Sequence, residues 1–310
     1  MRNKPALSAA NLLDDETAIN SFSLALRASG RKDKTEGTYI KALTYLQRFL
    51  IAKGMPAIAA VSTEHLREYF NSMYQRGLQN STVSIHFRAL QQFFKWLVTE
   101  GEREDNPLTR IPPPRVEEKI QAHYGDGEIQ RLLKKLPPAS RDPRILRNRA
   151  IVLTFYDTGL RASELCGLRR DAADLRELTL RVKGKGGKER EVAVSPITAQ
   201  AIDRYLRHRD DLAPWLFLAR GGQPLTHNGL RMFMERLFAS AGLEFRGVHA
   251  FRRGFAIAFL ENGGDPEDLR TLAGWESAQM LRRYTKATET QRARRAHRKF
   301  SPVDHLGIGR

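Results

Sequence analysis

Leu43, Leu46 and Leu50 recur at i, i+3 and i+7, and Phe87, Leu90, Phe94 and Leu97 repeat that spacing with Arg88, Gln91, Gln92 and Lys95 between them. Apolar residues three and four apart share one face of an α-helix, so both stretches predict amphipathic helices with a polar outer side. Gly54, Gly77 and Gly101 stand where these helices should stop, because glycine readily takes the left-handed conformation that ends a helix. The first hundred residues therefore predict a small all-helical unit with one basic face. A break follows at Ile111-Pro112-Pro113-Pro114-Arg115. Consecutive prolines lack amide donors and lock φ, which makes a stiff extended connector and marks a domain boundary.

Beyond the prolines, Asp126 is placed to cap a helix whose apolar stripe is Ile129, Leu132, Leu133 and Leu136. A second helix is expected over Arg147 to Tyr156, and a third after Gly159. The period then changes to two. Leu178, Leu180 and Val182 alternate with Thr179 and Arg181, and Val192 and Val194 alternate further on. Gly184-Lys185-Gly186-Gly187-Lys188 between them reads as a glycine-rich hairpin turn studded with lysines. After Pro196 the pattern is again mostly helical, to about His297. The expected fold is mainly α with a small antiparallel β-sheet. Its divisions are a helical domain over 10–111, a proline-rich linker over 112–117, a mixed domain over 118–300 and a tail over 301–310.

Composition sharpens this picture. The 310 residues exceed the usual size of one domain, and 41% hydrophobic content supports real cores. Lys and Arg number 52 against 35 Asp and Glu, giving a net charge of +17 and a pI near 10.3. Residues 1–115 carry +5 of this and the remainder +12. Such an excess points to a polyanionic partner, because each cation set against a phosphate releases condensed counterions. No run of 18 apolar residues and no lipidation motif favours a membrane. The single cysteine, Cys166, excludes an internal disulfide framework and reads as a small core residue. No secretory signal is visible at the N-terminus, and a reducing cytoplasmic location fits these features.

The glycines at 184–187 lack the Gly-Lys-Ser/Thr of a P-loop, and there is no HExxH or clustered carboxylate set for metal ions. Cleaving a phosphodiester without a metal needs a nucleophile, cationic donors, a proton acceptor and a proton donor. Arg161, in Thr158-Gly159-Leu160-Arg161-Ala162-Ser163-Glu164-Leu165, stands at a turn-to-helix junction, with Glu164 three residues on and able to hold its guanidinium. His249 and Arg252, in His249-Ala250-Phe251-Arg252, share a helix face, while Phe251, Phe255 and Phe259 would bury the other. Trp275 follows Leu272-Ala273-Gly274, and Tyr284 follows Arg282 and Arg283, an electropositive setting that favours phenolate. That setting matters because only about 0.1% of an ordinary tyrosine is ionised at neutral pH. Each piece alone also has a plain structural reading: a surface ion pair, a core histidine beside a surface arginine, a packing tyrosine.

Together they resemble the tyrosine recombinase (phage integrase) family. The order runs Arg161 in TGLRASEL, Lys185 in GKGGKER, His249 and Arg252 in HAFRRGFA, Trp275 in LAGW and Tyr284 in RRYTKA. The intervals of 24 from Arg161 to Lys185, 3 between His249 and Arg252, 23 to Trp275 and 9 to Tyr284 suit the family. The resemblance covers about residues 120–300, and the helical segment before the prolines is similar to the family's core-binding (SAM-like) domain. It implies a two-domain clamp on duplex DNA, of the simple Xer- or Cre-like type without an arm-binding domain. It further implies that Tyr284 attacks the scissile phosphate to form a 3′-phosphotyrosine, and that Arg161 and Arg252 stabilise the developing charge. By the same resemblance Lys185 would protonate the leaving 5′-oxygen, His249 assist as acid or base, and Trp275 donate its indole N–H. Glu164 would support Arg161. Neither metal nor nucleotide cofactor is implied.

The partners implied are paired recombination sites on double-stranded DNA, three further copies of the chain in a tetramer that passes through a Holliday junction, and an accessory bending or directionality factor. Localisation to the nucleoid when DNA-bound follows. Most relatives have histidine where Trp275 stands, a small hydroxyl residue at Gly254, and many have histidine at Arg253. Thr38, Lys41, Arg88, Lys183 and Lys188 are candidate DNA contacts, and the segment from Phe300 to Ile308 is a candidate for docking onto a neighbouring protomer. The alternatives are a type IB topoisomerase, which shares the chemistry, and a non-catalytic DNA-binding protein on the same scaffold. The compact helical domain and the HAFRR and LAGW patterns argue against the first, and the six competent side chains against the second.

Overall fold

The computed structural model describes residues 14–30, 33–116, 122–184, 187–275 and 277–306, in two compact units that divide between Glu117 and Glu118. Among the described residues the N-terminal unit is built from helices α1 (Asp15–Ala28), α2 (Asp33–Ala52), α3 (Thr63–Gln75) and α4 (Asn80–Glu100). Asp14 caps α1 by accepting the Thr17 N–H at 2.9 Å, and Ser62 and His65 cap α3 reciprocally. Gly101 ends α4 at φ 81°, a conformation that an L side chain resists. The predicted stripes Leu43, Leu46, Leu50 and Phe87, Leu90, Phe94, Leu97 are all buried and meet in one core with Phe22, Tyr69 and Phe93. Arg88, Gln91 and Lys95 face solvent.

The C-terminal unit runs α5 (Asp126–Lys134), α6 (Pro143–Thr158), α7 (Ala162–Cys166), β1 (Ala173–Asp174), β2 (Thr179–Lys183), β3 (Glu189–Ala193), α8 (Pro196–Arg207), α9 (His227–Ser240), α10 (His249–Glu261), α11 (Pro266–Ala273) and α12 (Ala278–Phe300). The three strands form an antiparallel sheet in the order β1-β2-β3, with Leu180 opposite Val192 and Val182 opposite Arg190. Leu180, Val182 and Val192 supply the sheet's buried face. The largest core packs α6 against α8 and α10, while a second core of Phe255, Leu260, Leu269, Trp275, Leu281 and Tyr284 joins α10, α11 and α12. Among the described residues no helix is long and apolar enough to cross a membrane.

Four local expectations change. Gly125, not Asp126, occupies the cap of α5, with Glu128 accepting its N–H, and Asp126 instead accepts the Tyr156 hydroxyl. Helix α6 begins four residues before Arg147, because Asp142 caps it and Pro143 takes the first-turn position where no amide donor is needed. Leu178 lies outside β2 in left-handed conformation (φ 57°), since Asp174 accepts the N–H groups of Arg176 and Glu177 and tightens the β1–β2 turn. The two-residue strand β1 is too short to show a period. Cys166 is half-buried, and burial pushes its thiol up to about 11, the state of an inert thiol.

Candidate active site

Arg161 stands where α6 has ended and α7 has not begun. Gly159 ends α6 at φ 59°, where an added Cβ would meet the Phe255 ring at 2.4 Å, so only glycine fits the turn. Leu160 is buried beside it. Arg161 then occupies the cap of α7 with extended backbone, its side chain one-third exposed. Glu164, three residues into α7, accepts the Arg161 backbone N–H at 2.8 Å and its Nη1 at 2.7 Å. From β3, Arg190 adds a fork to the same carboxylate, at 3.0 and 3.1 Å. Burial alone would raise Glu164, yet the bonds from Arg190 and Arg161 outweigh it and hold the carboxyl below its ordinary range.

His249 opens α10 and Arg252 lies one turn later. The Arg252 guanidinium is buried, donating to the Gly159 carbonyl at 2.7 Å and the Ala273 carbonyl at 2.5 Å, and it lies 5.5 Å from the centre of the Trp275 ring. Burial, then repulsion from Arg161, lowers it to about 10, so it stays charged at neutral pH. Burial, then Arg252 and Arg253, lowers the His249 imidazole. A neutral ring can accept a proton.

Helix α11 ends at Gly274 in left-handed conformation (φ 62°), which delivers Trp275 beneath Arg252. The Trp275 and Tyr284 rings stack with centres 5.0 Å apart and planes 6° from parallel. Both are buried, and the Trp275 indole N–H meets no hydrogen-bond partner among the described residues. An orphaned buried donor costs free energy and is an open invitation to an acceptor. Burial raises the Tyr284 phenol, while Arg253, Arg252 and Arg283 pull it back.

Arg161, His249, Arg252, Trp275 and Tyr284 thus line one cleft of about 810 Å³. Among the described residues seven arginines and lysines line it against one carboxylate, Glu189. Lys185 lies outside the described residues, as does the end of the tail beyond Leu306. Gly184 and Lys188, on either side of the hairpin tip, line the cleft, and Lys183 is exposed at the end of β2. Thr38, Lys41 and Arg88 are exposed in the N-terminal unit. Among the described residues no group of three His, Cys, Asp or Glu side chains could hold a metal ion.

Arg190 and Arg253 line the cleft without a role in the motif reading. Arg190 shares the inward side of β3 with buried Val192, two residues on, so a cation at that phase of the alternation was the available signal. Arg253 is tied to the Ala122 carbonyl at 2.8 Å and its charge acts on the Tyr284 phenol. The neighbouring Gly254 has a plain steric cause: a Cβ there would lie 2.3 Å from the Tyr124 carbonyl oxygen.

The model of the phage integrase family matches residues 126–291, and that of the phage integrase N-terminal SAM-like domain matches residues 19–101. A tyrosine recombinase XerC of Halalkalibacterium halodurans is 32% identical over 302 residues, covering 94% of this chain and 99% of that protein. A tyrosine recombinase XerD of Brucella suis is 30% identical over 290 residues, covering 88% and 93%. In fold the chain is similar to the XerH site-specific recombinase, whose crystal structure is a post-cleavage complex on its palindromic difH substrate. The TM-score is 0.73 at 22% identity, covering 94% of this chain and 91% of that one.

Proposed function

Because the chain belongs to the phage integrase family and is a tyrosine-type site-specific DNA recombinase, we propose that this cleft is where it breaks and rejoins the DNA backbone. Tyr284 Oη attacks the scissile phosphorus, a phosphotyrosine bond forms, and the bond to the 5′-oxygen breaks. The phenol proton passes to neutral His249, and Lys185 delivers a proton to the leaving oxygen. Arg161 and Arg252 face the non-bridging oxygens, where charge grows in the transition state, and Trp275 adds its unmet N–H. A free 5′-hydroxyl of the partner strand then reverses the step through a Holliday junction. Such positioned donors contribute most in a site closed to water.

What supports this reading most is the convergence of two guanidinium groups and the Tyr284 ring, from α7, α10 and α12, on a single cationic cleft. The test is incubation with a nicked suicide duplex carrying the cognate site, resolved on a denaturing gel. A covalent protein–DNA band is expected, lost in Tyr284→Phe while DNA binding persists. A band of unchanged intensity in that variant assigns the nucleophile elsewhere.

The same proposal covers the assembly. Four protomers synapse two sites, and both the helical domain over 10–111 and the catalytic domain over 118–300, joined by the linker over 112–117, contact DNA. Thr38, Lys41, Arg88, Lys183 and Lys188 contact the duplex, all five being exposed. The segment from Phe300 to Ile308 docks onto a neighbouring protomer, a role favoured by Phe300, Val303 and Leu306, each more than 60% exposed. An accessory bending or directionality factor and a cytoplasmic, nucleoid-associated setting complete the reading.

A further inference from the structure

We propose that Arg190 is a positioning residue for strand cleavage, acting through Glu164 to leave the Arg161–Glu164 pair with a net positive charge and Arg161 aimed at the phosphate; this rests on the cleft being the cleavage site. Glu164 is almost fully buried, and its two oxygens accept four bonds. Two come from Arg161, its backbone N–H and Nη1, and two from Arg190, Nη1 and Nη2. A carboxylate has about four acceptor positions, so the set is full.

The charge arithmetic follows. Arg161 and Glu164 alone would form a neutral pair, and a neutralised guanidinium has little field left for a phosphate. With Arg190 the triad carries one net positive charge, and Arg161 is the less buried of its two cations, at 34% side-chain exposure against 18%. Geometry follows too. Were Arg190 absent, the vacated acceptor positions would draw Arg161 into a two-pronged grip and turn its second amino group away from the Gly274 carbonyl, 3.5 Å off. Arg190 also props the turn that carries Trp275, since a Cβ on Gly274 would lie 2.9 Å from its Nε. It further sits at the root of the lysine hairpin, packed under Gly184. One side chain thus links three parts of the cleft.

The test measures single-turnover cleavage of the suicide duplex by saturating protein, for the unaltered chain, R190Q and R190K. Each is run on the natural phosphate and on a methylphosphonate at the scissile position, which lacks the non-bridging negative charge. R190Q should cleave the natural phosphate roughly 10- to 100-fold slower, less than the ~10²–10³ lost with a direct donor. Its DNA affinity should change little, and the defect should shrink several-fold on methylphosphonate. R190K keeps the charge without the fork and should fall between. An equal loss on both substrates would mean that Arg190 only holds the fold, and no loss on the natural phosphate would mean that Arg161 needs no partner; either overturns the proposal. If R190Q does not fold, R190K must still show a loss confined to the charged phosphate. Absence of any Tyr284-dependent band from the unaltered chain would instead remove the cleavage-site reading on which the inference stands.

Discussion

In the N-terminal unit the buried carboxylate of Glu36 meets the Ser23 hydroxyl at 2.5 Å and one guanidinium, Arg27, whose side chain is 67% exposed. In the C-terminal unit Glu164 meets two guanidinium groups that are largely withdrawn from water, and Arg252 nearby is buried, its hydrogen bonds among the described residues going to carbonyl oxygens. Both carboxyls are held below their ordinary range, Glu36 chiefly by the Arg27 hydrogen bond and Glu164 by bonds that overcome its burial. The first sets a carboxylate of α2 against a guanidinium of α1 that reaches solvent, which suits an ion pair that ties two helices together. The second leaves cation in excess of anion. A buried surplus of charge is costly in a fold at rest, and it is relieved when an anion enters. The difference separates an ion pair that ties helices together from a site built for phosphate.

The comparison is broken most severely at Arg252. Arg252→Ala should slow cleavage by roughly 10²–10³-fold and also strand the Gly159 and Ala273 carbonyls, lowering the melting temperature by a few degrees, as expected for about 1–3 kcal/mol of lost hydrogen bonding. A melting loss without a rate loss at saturating enzyme would make Arg252 a structural cation like any other. Next in size is the contrast between the two glutamates. A carboxyl held down in the folded state stabilises above its unfolded pKa, and that contribution disappears as pH falls through the folded value. Glu164→Gln should therefore flatten the acid side of the melting temperature–pH curve, below the usual carboxylate pKa, more than Glu36→Gln does. An equal or larger effect at Glu36 would show that burying the cation is immaterial.

The smallest effect concerns His249, whose imidazole is lowered by burial and by its cationic neighbours. As general base it must be neutral, so cleavage should hold through the ordinary imidazole range near pH 6.5 and decline only below it. Replacing Arg253 with Gln should move that decline upward by a fraction of a pH unit, read from single-turnover rates against pH. An unmoved limb would detach Arg253 from His249.

Much of this molecule was legible locally. Stripes such as Leu43, Leu46, Leu50 needed only the helical period, and the Arg161–Glu164 pair is visible because a helix cap and the third residue of its helix lie side by side. The order of motifs alone marks Arg161, His249, Arg252, Trp275 and Tyr284, which share the cleft. Differences gather where two local signals compete, as at Asp126 against Gly125 for one cap, and a two-residue strand such as β1 leaves no period to read.

What the chain determined by itself is therefore the set of short-range choices: helix faces, caps, glycine turns, the lysine hairpin and the spacing of the chemical groups. Tertiary structure alone decided which of those groups meet. Arg190 reaches Glu164 across 26 residues, Arg252 reaches the Gly159 carbonyl across 93, and Trp275 finds Tyr284 as a parallel ring. Burial shifted their proton affinities, moving the pKa of His249 and Arg252 down and that of Tyr284 up. Both outcomes depend on distance and solvent exclusion through space, which a linear spacing does not encode.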